Sequence, residues 1–491
     1  MPTSLQGRAK KAARHKPHRF RNLFGLLSVV FLLGCWRWLN KRAAPGVDRI
    51  RAWEYGKHLR EHVDDVAERV HTERYRAKLV RRQYIPKGQG TLRPLGIPAM
   101  EDKLLQTAVA QRLEAISAQD FLPCSYGYRR AVGALDAVRD LTRTLQCGPY
   151  GFIVEADIKG FFDTIDHQQW LEMLALRIDD TPLLRLIRTW LKAGVLETDG
   201  HVSHPVTGTP QGGTVSPILA HVYLHYALDG WFEEVVKAHG EKAAYLWRDA
   251  DDFVCAFQSK RDAERFDRVL GKRLGRFGRE LAAVKTRILS FSRCRQDEKG
   301  RVDFLGFTFC WGTNRAGTAQ LQRRTSRKKL RSAIANFTAW IKEHRNRRLK
   351  DLCKERNAKL RGYYQYYGVR GNYEQLAAFF YQADRLLFTW LNRRSQRKSS
   401  TGQSFRDLLH HCKIERPRIT EKPRGTLAVS CREAACESES LRRARCGSSA
   451  RRALCGGGWV TGRPTAMAPA ARKKNRVLYS HGRRDYTQHT W

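Results

Sequence analysis

The sequence predicts an α+β protein in which a mainly antiparallel sheet is followed by a mainly α-helical region. Between residues 84 and 311, strand-like and helix-like segments alternate irregularly, which is typical of α+β architecture rather than of a regular parallel sheet. Residues 322–424 instead carry apolar residues at helical spacing within a strongly basic segment. The 491 residues are enough for about three domains.

The composition indicates a folded, basic protein. Lys and Arg number 91 against 48 Asp and Glu, which gives a formal net charge of +43. A surplus of this size repels itself unless a polyanion neutralises it, so nucleic acid is the expected partner. With 42% hydrophobic and 10% aromatic residues, the chain is too apolar to be a wholly disordered basic tail.

The 12 cysteines predict neither a zinc site nor a disulfide framework, because no two of them are spaced as Cys-x-x-Cys. The nearest cluster, Cys431, Cys436, Cys446 and Cys455, lacks the two close pairs that tetrahedral zinc requires. We therefore expect no zinc.

The amino-terminal region divides into two parts. Residues 1–21 are basic and are expected to form a disordered arm. Residues 22–80 read as helices separated by a turn at residues 43–48, where Pro and Gly together stop a helix.

The apolar run at residues 23–35 follows basic residues and imitates a secretory signal peptide. We reject that interpretation because the run is shorter than the ~20 residues needed to span a bilayer. The run also continues into Trp36 and Trp38, as a buried helix would. We expect a cytoplasmic protein with no membrane partner.

Two segments place carboxylates at the ends of apolar strands. Residues 152–156 read as a buried strand that ends at Asp157. In residues 244–257, two apolar strands flank Asp251 and Asp252 in a connection suited to a tight hairpin. Carboxylates repel one another, so their assembly is costly unless divalent cations lie between them. Two Mg²⁺ ions are expected, since Mg²⁺ takes oxygen ligands from carboxylates and substrate phosphates.

Further motifs follow one another along the chain. They are Arg37–Asn40 with Gly46–Asp48, Tyr84–Gly88 with Leu92–Pro98, Glu101–Lys103, Ser125–Arg129, Gly208–Gly213 with Val215–Pro217, Lys285–Arg287, Phe304–Phe307, and Leu360–Gly368 with Trp390–Arg394. Each motif alone is weak, but together with the Asp residues and in this order they are highly specific. Over residues ~20 to ~420 the chain resembles a bacterial group II intron-encoded reverse transcriptase and maturase.

The resemblance implies a right-hand polymerase fold. The helical extension would span residues 22–80, the fingers and palm residues 81–315, and the helical thumb and maturase domain, called domain X, residues 322–424. Residues 425–491 lack apolar periodicity and are expected to be a basic, disordered tail without the nuclease domain that the family often carries.

The resemblance also implies catalytic roles. Asp157, Asp251 and Asp252 would ligate both Mg²⁺ ions of an RNA-directed DNA polymerase, which is a nucleotidyltransferase. Lys285 would protonate the leaving pyrophosphate as a general acid, with a plain phosphate contact as the equally weighted alternative.

Five residues are expected to bind the deoxynucleoside triphosphate. Lys87 and Arg93, in the fingers, would clamp the triphosphate. Phe162 would crowd the sugar 2′ carbon and so favour deoxynucleotides. Gln211 and Gly212 would let the nucleotide and the template strand approach closely.

Aromatic residues interleaved with Arg in domain X suit stacking on unpaired bases and contacts to phosphates. The expected RNA-binding residues are Arg361, Tyr363, Tyr364, Tyr367, Arg393 and Arg394. The alternative is that part of the tyrosine cluster is core, and at helical spacing we expect about half of it to be buried. The partners implied are group II intron RNA, an RNA template and a DNA primer or target.

One residue departs from the family pattern. The family normally has Tyr before Ala-Asp-Asp, whereas this chain has Asp249. Strand alternation would put Asp249 on the face of Asp251, where a further carboxylate repels nucleotide and primer phosphates. Three functions therefore stay open: a reverse transcriptase that assists splicing and mobility of its intron, a splicing-only RNA-binding maturase with a decayed polymerase, and a reverse transcriptase of retron, diversity-generating or defence lineage.

Overall fold

The structure is a computed structural model of the chain. It describes residues 5–88, 91–130, 132–209, 212–282, 286–293, 300–314, 316–394 and 400–422, with the backbone alone at residues 87, 88 and 91. The predicted tail at residues 425–491 and the two predicted site residues Gln211 and Lys285 lie outside the described residues.

The helices are α1 (Leu5–Arg14), α2 (Val29–Trp36), α3 (Ala52–Tyr55), α4 (Leu59–His71), α5 (Met100–Ser117), α6 (Ala134–Cys147), α7 (Phe161–Thr164), α8 (His167–Ala175), α9 (Thr181–Leu191), α10 (Ser216–Leu224), α11 (Lys237–His239), α12 (Lys260–Gly275), α13 (Arg327–His344), α14 (Leu349–Tyr367), α15 (Tyr373–Leu391) and α16 (Gly402–His411). The strands are β1 (Val80–Gly88), β2 (Thr91–Ile97), β3 (Phe152–Asp157), β4 (Val195–Leu196), β5 (Val202–Ser203), β6 (Ala244–Asp249), β7 (Asp252–Phe257), β8 (Arg287–Ser290), β9 (Val302–Phe304), β10 (Phe307–Thr313) and β11 (Ala319–Thr325). Two π-helical segments, His225–Asp229 and Phe232–Val236, lie between α10 and α11.

The central sheet has the strand order β6-β7-β3-β8, and all its neighbours are antiparallel. Successive side chains alternate between two apolar cores, as the pleat of a strand requires. Val154, Ala156, Phe253 and Cys255 enter one core, and Ile153, Trp247, Val254 and Ala256 enter the other. The predicted antiparallel sheet and the predicted β6–β7 hairpin are therefore confirmed.

A second sheet has the strand order β2-β1-β4-β5. Strands β1 and β2 form an antiparallel hairpin, and the short β4 pairs with β1 in parallel. Helix α5 follows β2 and is buried over most of its length in the core that contains Val154 and Phe253. This helix anchors the β1–β2 hairpin to that core.

The expectation of a disordered arm over residues 1–21 is wrong for residues 5–21. Helix α1 is followed by Phe20, which is 3% exposed and exchanges backbone hydrogen bonds with Arg177 and Asp179. The guanidinium of Arg177 donates to the carbonyls of Ala12 at 3.2 Å and His18 at 2.9 Å. These bonds satisfy carbonyls at the end of α1, and the arm is held in place despite its charge.

The predicted helices of residues 22–80 are present. In α2, which covers much of the signal-like run, Leu32 is 0% and Cys35 1% exposed, and the helix packs against α4 and α5. Within the described residues, no helix has both the length and the apolar character that a membrane span requires.

The helical region begins at Arg327 rather than at residue 322. Strand β11 runs to Thr325 because Phe307 to Thr313 of β10 pair with it in register, forming a third sheet with β9. Beyond Arg327, helices α13 to α15 share an apolar core with α16. The α+β class followed by a helical region is confirmed.

Candidate active site

Asp157, Asp251 and Asp252 come together at one end of the central sheet. Asp157 is the last residue of β3 and pairs in register with Asp252, the first residue of β7. Directly opposed antiparallel residues place their side chains on one face, with Cβ atoms about 5 Å apart. Asp251 precedes Asp252 in the β6–β7 turn. The predicted arrangement of a strand end beside a hairpin is therefore present.

The buried guanidinium of Arg248 supports the β6–β7 turn. Arg248 is 0% exposed and donates from Nη1 to the Ala250 carbonyl at 3.0 Å. Its Nε and Nη2 donate to the two carboxylate oxygens of Asp229 at 2.6 Å and 2.5 Å. Ala250 itself has a φ of 59°, a left-handed conformation that is costly for a residue with a Cβ. The bonds to Arg248 hold this strained turn in place.

The same network reaches a second loop and a helix. Arg248 Nη2 donates to Ser125 Oγ at 2.6 Å, and Ser125 Oγ lies 2.7 Å from His221 Nε2 of α10. Burial lowers the pKa of His221 to about 2, with the Arg248 charge as a further cause. His221 is thus neutral, and its Nε2 shares one hydrogen bond with the Ser125 hydroxyl.

Asp249 lies at the same end of the sheet. It pairs across the hairpin with Asp252, whereas Asp251 lies in the turn. The expectation that Asp249 shares a face with Asp251 assumed a strand running through residue 251; because β6 stops at Asp249, its facing partner is Asp252.

The carboxylates at this site perturb one another. Desolvation by the surrounding chain, followed by the charges of Asp251, Asp157 and Asp249, raises the pKa of Asp252 to about 7. The Asp252 side chain nonetheless keeps an exposed surface. A cation would relieve this repulsion.

The donor set fits a hard divalent cation that shares its ligands with substrate. Among the described residues, no three Asp, Glu, His or Cys side chains converge closely enough to enclose an ion by themselves. Mg²⁺ is commonly held by one or two carboxylates and completes its shell with water and substrate phosphates. Asp157, Asp251 and Asp252 are the residues that would hold it.

Gly208 and Gly212 lie against helix α7 and strand β2, respectively. Gly208 has a φ of 75°, and a Cβ there would lie 2.5 Å from the Phe162 carbonyl oxygen. Gly212 has a φ of 125°, and a Cβ there would lie 2.6 Å from the Gly96 carbonyl oxygen of β2. Both positions therefore require glycine.

The remaining predicted nucleotide-binding residues lie on α7 and on the β1–β2 hairpin. Phe162, in α7, is half-buried, with its ring centroid 5.1 Å from that of Phe161. Arg93, in β2, is exposed, and Lys87 lies in β1. The positive charge of Arg93 acts on Tyr128 and opposes the rise in the Tyr128 pKa that burial causes.

Two tyrosines near the carboxylates are absent from the sequence-based set. Tyr128 lies close enough to Asp251 and Asp249 for their charges to raise its pKa, after the larger effect of burial. Tyr366 of α14 donates to the Leu305 carbonyl at 2.9 Å, and Asp249 is among the groups that raise its pKa after burial. The Ser125–Arg129 motif was a signal for Tyr128, whereas nothing in the tyrosine cluster distinguished Tyr366.

The prediction that Tyr364 stacks on RNA is wrong. Tyr364 is 0% exposed, and its hydroxyl donates to the Glu415 carbonyl at 3.3 Å. Tyr363 stacks on Phe379 with ring centroids 4.0 Å apart, and Tyr367 packs on Phe307 of β10 at 5.3 Å. The helical spacing of these rings turns them toward the two apolar cores beside α14, as the alternative interpretation expected.

The predicted basic residues of domain X differ in accessibility. The Arg361 side chain is 52% exposed and lies 3.4 Å from Glu415, and the exposed Arg393 packs on Trp390 at 5.1 Å. Arg394 is half-buried and donates to the Arg347 carbonyl at 3.2 Å. Arg361 and Arg393 are accessible to a polyanion, whereas Arg394 joins two helical segments.

Comparison with known proteins agrees with this geometry. The family described as reverse transcriptase (RNA-dependent DNA polymerase) matches residues 85–309. Protein YkfC of Escherichia coli (strain K12) is 30% identical over 209 residues, which are 42% of this chain and 55% of YkfC. The group II intron-encoded protein LtrA of Lactococcus lactis subsp. cremoris is 42% identical over 152 residues, which are 31% of this chain and 25% of LtrA.

A third relative also comes from an intron. An uncharacterized 91 kDa protein in the cob intron of Schizosaccharomyces pombe is 35% identical over 173 residues, 35% of this chain and 21% of that protein. The chain thus spans between about a fifth and about half of the length of these relatives. Residues 85–309 thus match the reverse transcriptase family, and the chain is similar over part of its length to a group II intron-encoded protein and to a protein in an intron.

Proposed function

We propose that the protein is an RNA-directed DNA polymerase that also binds its group II intron RNA to assist splicing and mobility. The observation that carries the polymerase part is the pairing of Asp157 with Asp252 at the end of two central strands, beside Asp251 in the turn. Three carboxylates at the adjoining ends of two strands can hold the cations that metal-assisted nucleotidyl transfer requires.

In this proposal each residue has a separate task. Bound Mg²⁺ would supply activation of the primer 3′-hydroxyl and neutralisation of the pyrophosphate. Asp157, Asp251 and Asp252 hold the cations at the strand ends. Arg93, with Lys87 on the partner strand, binds the triphosphate, for which a guanidinium offers two parallel donors.

The sugar and the leaving group are handled by other elements. Phe162, held by the α7 turn, excludes a ribose 2′-hydroxyl, and Gly212 admits the nucleotide because it has no side chain. Gln211 positions the template strand, and Lys285 donates a proton to the pyrophosphate oxygen.

The RNA-binding part of the proposal rests on charge and accessibility. The net charge of +43 favours a polyanion, and Arg361 and Arg393 present accessible guanidinium groups in domain X. Binding alone suffices for splicing assistance, since the intron RNA performs its own transesterification.

Mg²⁺-dependent extension of a DNA primer on an RNA template tests the polymerase part. At one salt concentration, wild type and Asp64→Ala should extend the primer, and Asp251→Ala should not. Asp64 is the matched control because it is an exposed α4 carboxylate paired with Arg60. Extension by Asp251→Ala equal to wild type would contradict the proposal.

A splicing-only maturase is the second candidate, and the position of Asp249 favours it. Asp249 faces Asp252 across the hairpin and adds negative charge where nucleotide phosphates would bind. Extension by Asp249→Tyr but not by wild type would establish this candidate. Preference for a group II intron RNA over other structured RNAs would separate both candidates from a reverse transcriptase of another lineage.

A further inference from the structure

The segment around Gly127 crosses the tip of the catalytic hairpin. Ser125 forms a parallel bridge with Arg248, and the Tyr126 amide donates to the Arg248 carbonyl at 2.8 Å. A Cβ on Gly127 would lie 2.4 Å from the Ala250 nitrogen and 3.0 Å from Asp249 Oδ1. The backbone of this segment therefore lies directly on the residues that precede Asp251.

Neighbours on both sides hold the segment in place. The Tyr126 hydroxyl donates to Asp140 Oδ2 at 2.7 Å, and Tyr126 is only 7% exposed. Arg129 donates from Nη1 to the carbonyls of Ser125 at 2.9 Å and Leu122 at 3.1 Å. Tyr128, between these anchors, has a position that the fold determines.

Tyr128 itself is strained and yet accessible. Its φ is 56°, a left-handed conformation that costs a bulky residue on the order of 1–3 kcal/mol. Ala250, against which the preceding Gly127 lies, has a φ of 59°. Tyr128 remains 49% exposed, so burial in a core does not offset the strain. Strain of this kind clusters at ligand-binding sites.

The charges around the phenol come from both sides of the cleft. Burial, with the charges of Asp251 and Asp249 and against the opposing charge of Arg93, raises the pKa of Tyr128 to about 12. The phenol hydroxyl can donate a hydrogen bond. It lies within electrostatic reach of a guanidinium on β2 and of the hairpin carboxylates.

We propose that Tyr128 is a nucleotide-binding residue that contacts the incoming deoxynucleoside triphosphate between Arg93 and Asp251. This inference rests on the proposed polymerase function, because it assigns a residue of the same site. A ligand that meets both a guanidinium and carboxylate-bound cations carries phosphates and a divalent ion, as a nucleoside triphosphate does. The aromatic ring adds a surface on which the sugar or base packs.

The test uses the full chain bound to a primer–template whose DNA primer ends in a dideoxynucleotide, so that nucleotide binding is measured without chemistry. The next deoxynucleotide is titrated, and retention of the complex against a competitor duplex gives an apparent Kd. The variants are Tyr128→Ala, Tyr128→Phe and, as the matched control, Tyr381→Ala, which removes a 68% exposed tyrosine from α15.

Tyr128→Ala should raise the apparent Kd for the nucleotide about tenfold, as expected for the loss of one stacking contact. Its Kd for the primer–template, measured without nucleotide, should stay within about twofold of wild type. Tyr128→Phe, which keeps the ring and the fold, should show a smaller rise, and Tyr381→Ala none.

The outcomes separate this inference from the polymerase proposal. If Tyr128→Ala binds nucleotide as wild type does, or if it weakens only the primer–template, the inference is overturned even where wild type extends primers. If wild type binds nucleotide, Tyr128→Ala loses it and no variant extends, the inference holds and the polymerase proposal fails. If added nucleotide never stabilises the wild-type complex, Tyr128 has no nucleotide to contact and the inference is overturned.

Discussion

Arg248 and Asp229 form a fully buried ion pair directly beneath the turn that carries Asp251. The guanidinium meets both carboxylate oxygens, at 2.6 Å and 2.5 Å, and both side chains are 0% exposed. Its remaining donors reach the Ala250 carbonyl and Ser125 Oγ. One buried pair thus links the π-helical segment after α10, the catalytic hairpin and the loop that carries Tyr128.

Removing one partner of this pair should be strongly destabilising. Asp229→Ala leaves the Arg248 charge buried and uncompensated, which costs about 3–5 kcal/mol. Urea unfolding should show this loss, whereas Asp64→Ala, at an exposed ion pair, should cost about 1 kcal/mol or less. Equal effects of the two substitutions would mean that the buried pair does not support the hairpin.

A side chain at Gly127 should displace the hairpin. The built Cβ lies 2.4 Å from the Ala250 backbone nitrogen, a contact that only backbone movement relieves. Gly127→Ala should lower the extension rate at least about tenfold, since small misplacements of reacting groups are costly. The matched substitution is Gly133→Ala, where a Cβ meets nothing within 4 Å, and its rate should equal that of wild type. A normal rate in Gly127→Ala would show that the loop does not set the hairpin position.

The neutral, buried His221 should make folding sensitive to mild acid. Its pKa is about 2 in the folded protein and about 6.5 when unfolded, so only the unfolded chain takes up this proton between those values. Stability is therefore complete above pH 6.5 and is lost as the pH falls. Between pH 7 and pH 5 the loss from this residue is about 2 kcal/mol. The free energy of unfolding of His221→Gln should fall less than that of wild type over this range, and an identical fall would refute the assignment.

Exposed arginines of domain X, rather than its tyrosines, should govern RNA affinity. The double variant Arg361→Ala and Arg393→Ala should bind intron RNA more weakly and reduce the slope of log affinity against log salt by about 1.5. Tyr364→Ala should instead lower the free energy of unfolding by about 3–5 kcal/mol, because it empties a buried position. A changed salt slope in Tyr364→Ala together with wild-type stability would reverse this distinction.

The strand ends that carry Asp157, Asp251 and Asp252 could be predicted from the sequence because their signals are local. Apolar runs on both sides of Asp251 and Asp252 allow few structures other than a hairpin, and the strand before Asp157 is equally clear. The ordered motifs then identified the family. Local pattern and global fold agree at these positions.

Other features depend on contacts between distant residues, which local patterns do not reveal. The arm before Phe20 looks disordered by charge, but contacts with distant residues, among them the bonds from the Arg177 guanidinium, hold it in place. Whether Tyr363, Tyr364 and Tyr367 point into a core or toward solvent depends on the two apolar cores between which α14 packs. The pairing of Asp249 with Asp252 depends on where β6 stops, which a single residue decides.

The central claim is that Asp157, Asp251 and Asp252 hold divalent cations at the end of the central sheet. Replacement of Mg²⁺ by Fe²⁺, with ascorbate and peroxide, generates hydroxyl radicals that cut the backbone beside bound metal, independently of polymerisation. With nucleotide and primer–template present, wild type should be cut near residue 157 and near residue 251, and excess Mg²⁺ should suppress both cuts. The double variant Asp251→Asn and Asp252→Asn should lose them. Cutting at these positions that persists in the double variant, or wild-type cutting only elsewhere, would contradict the claim.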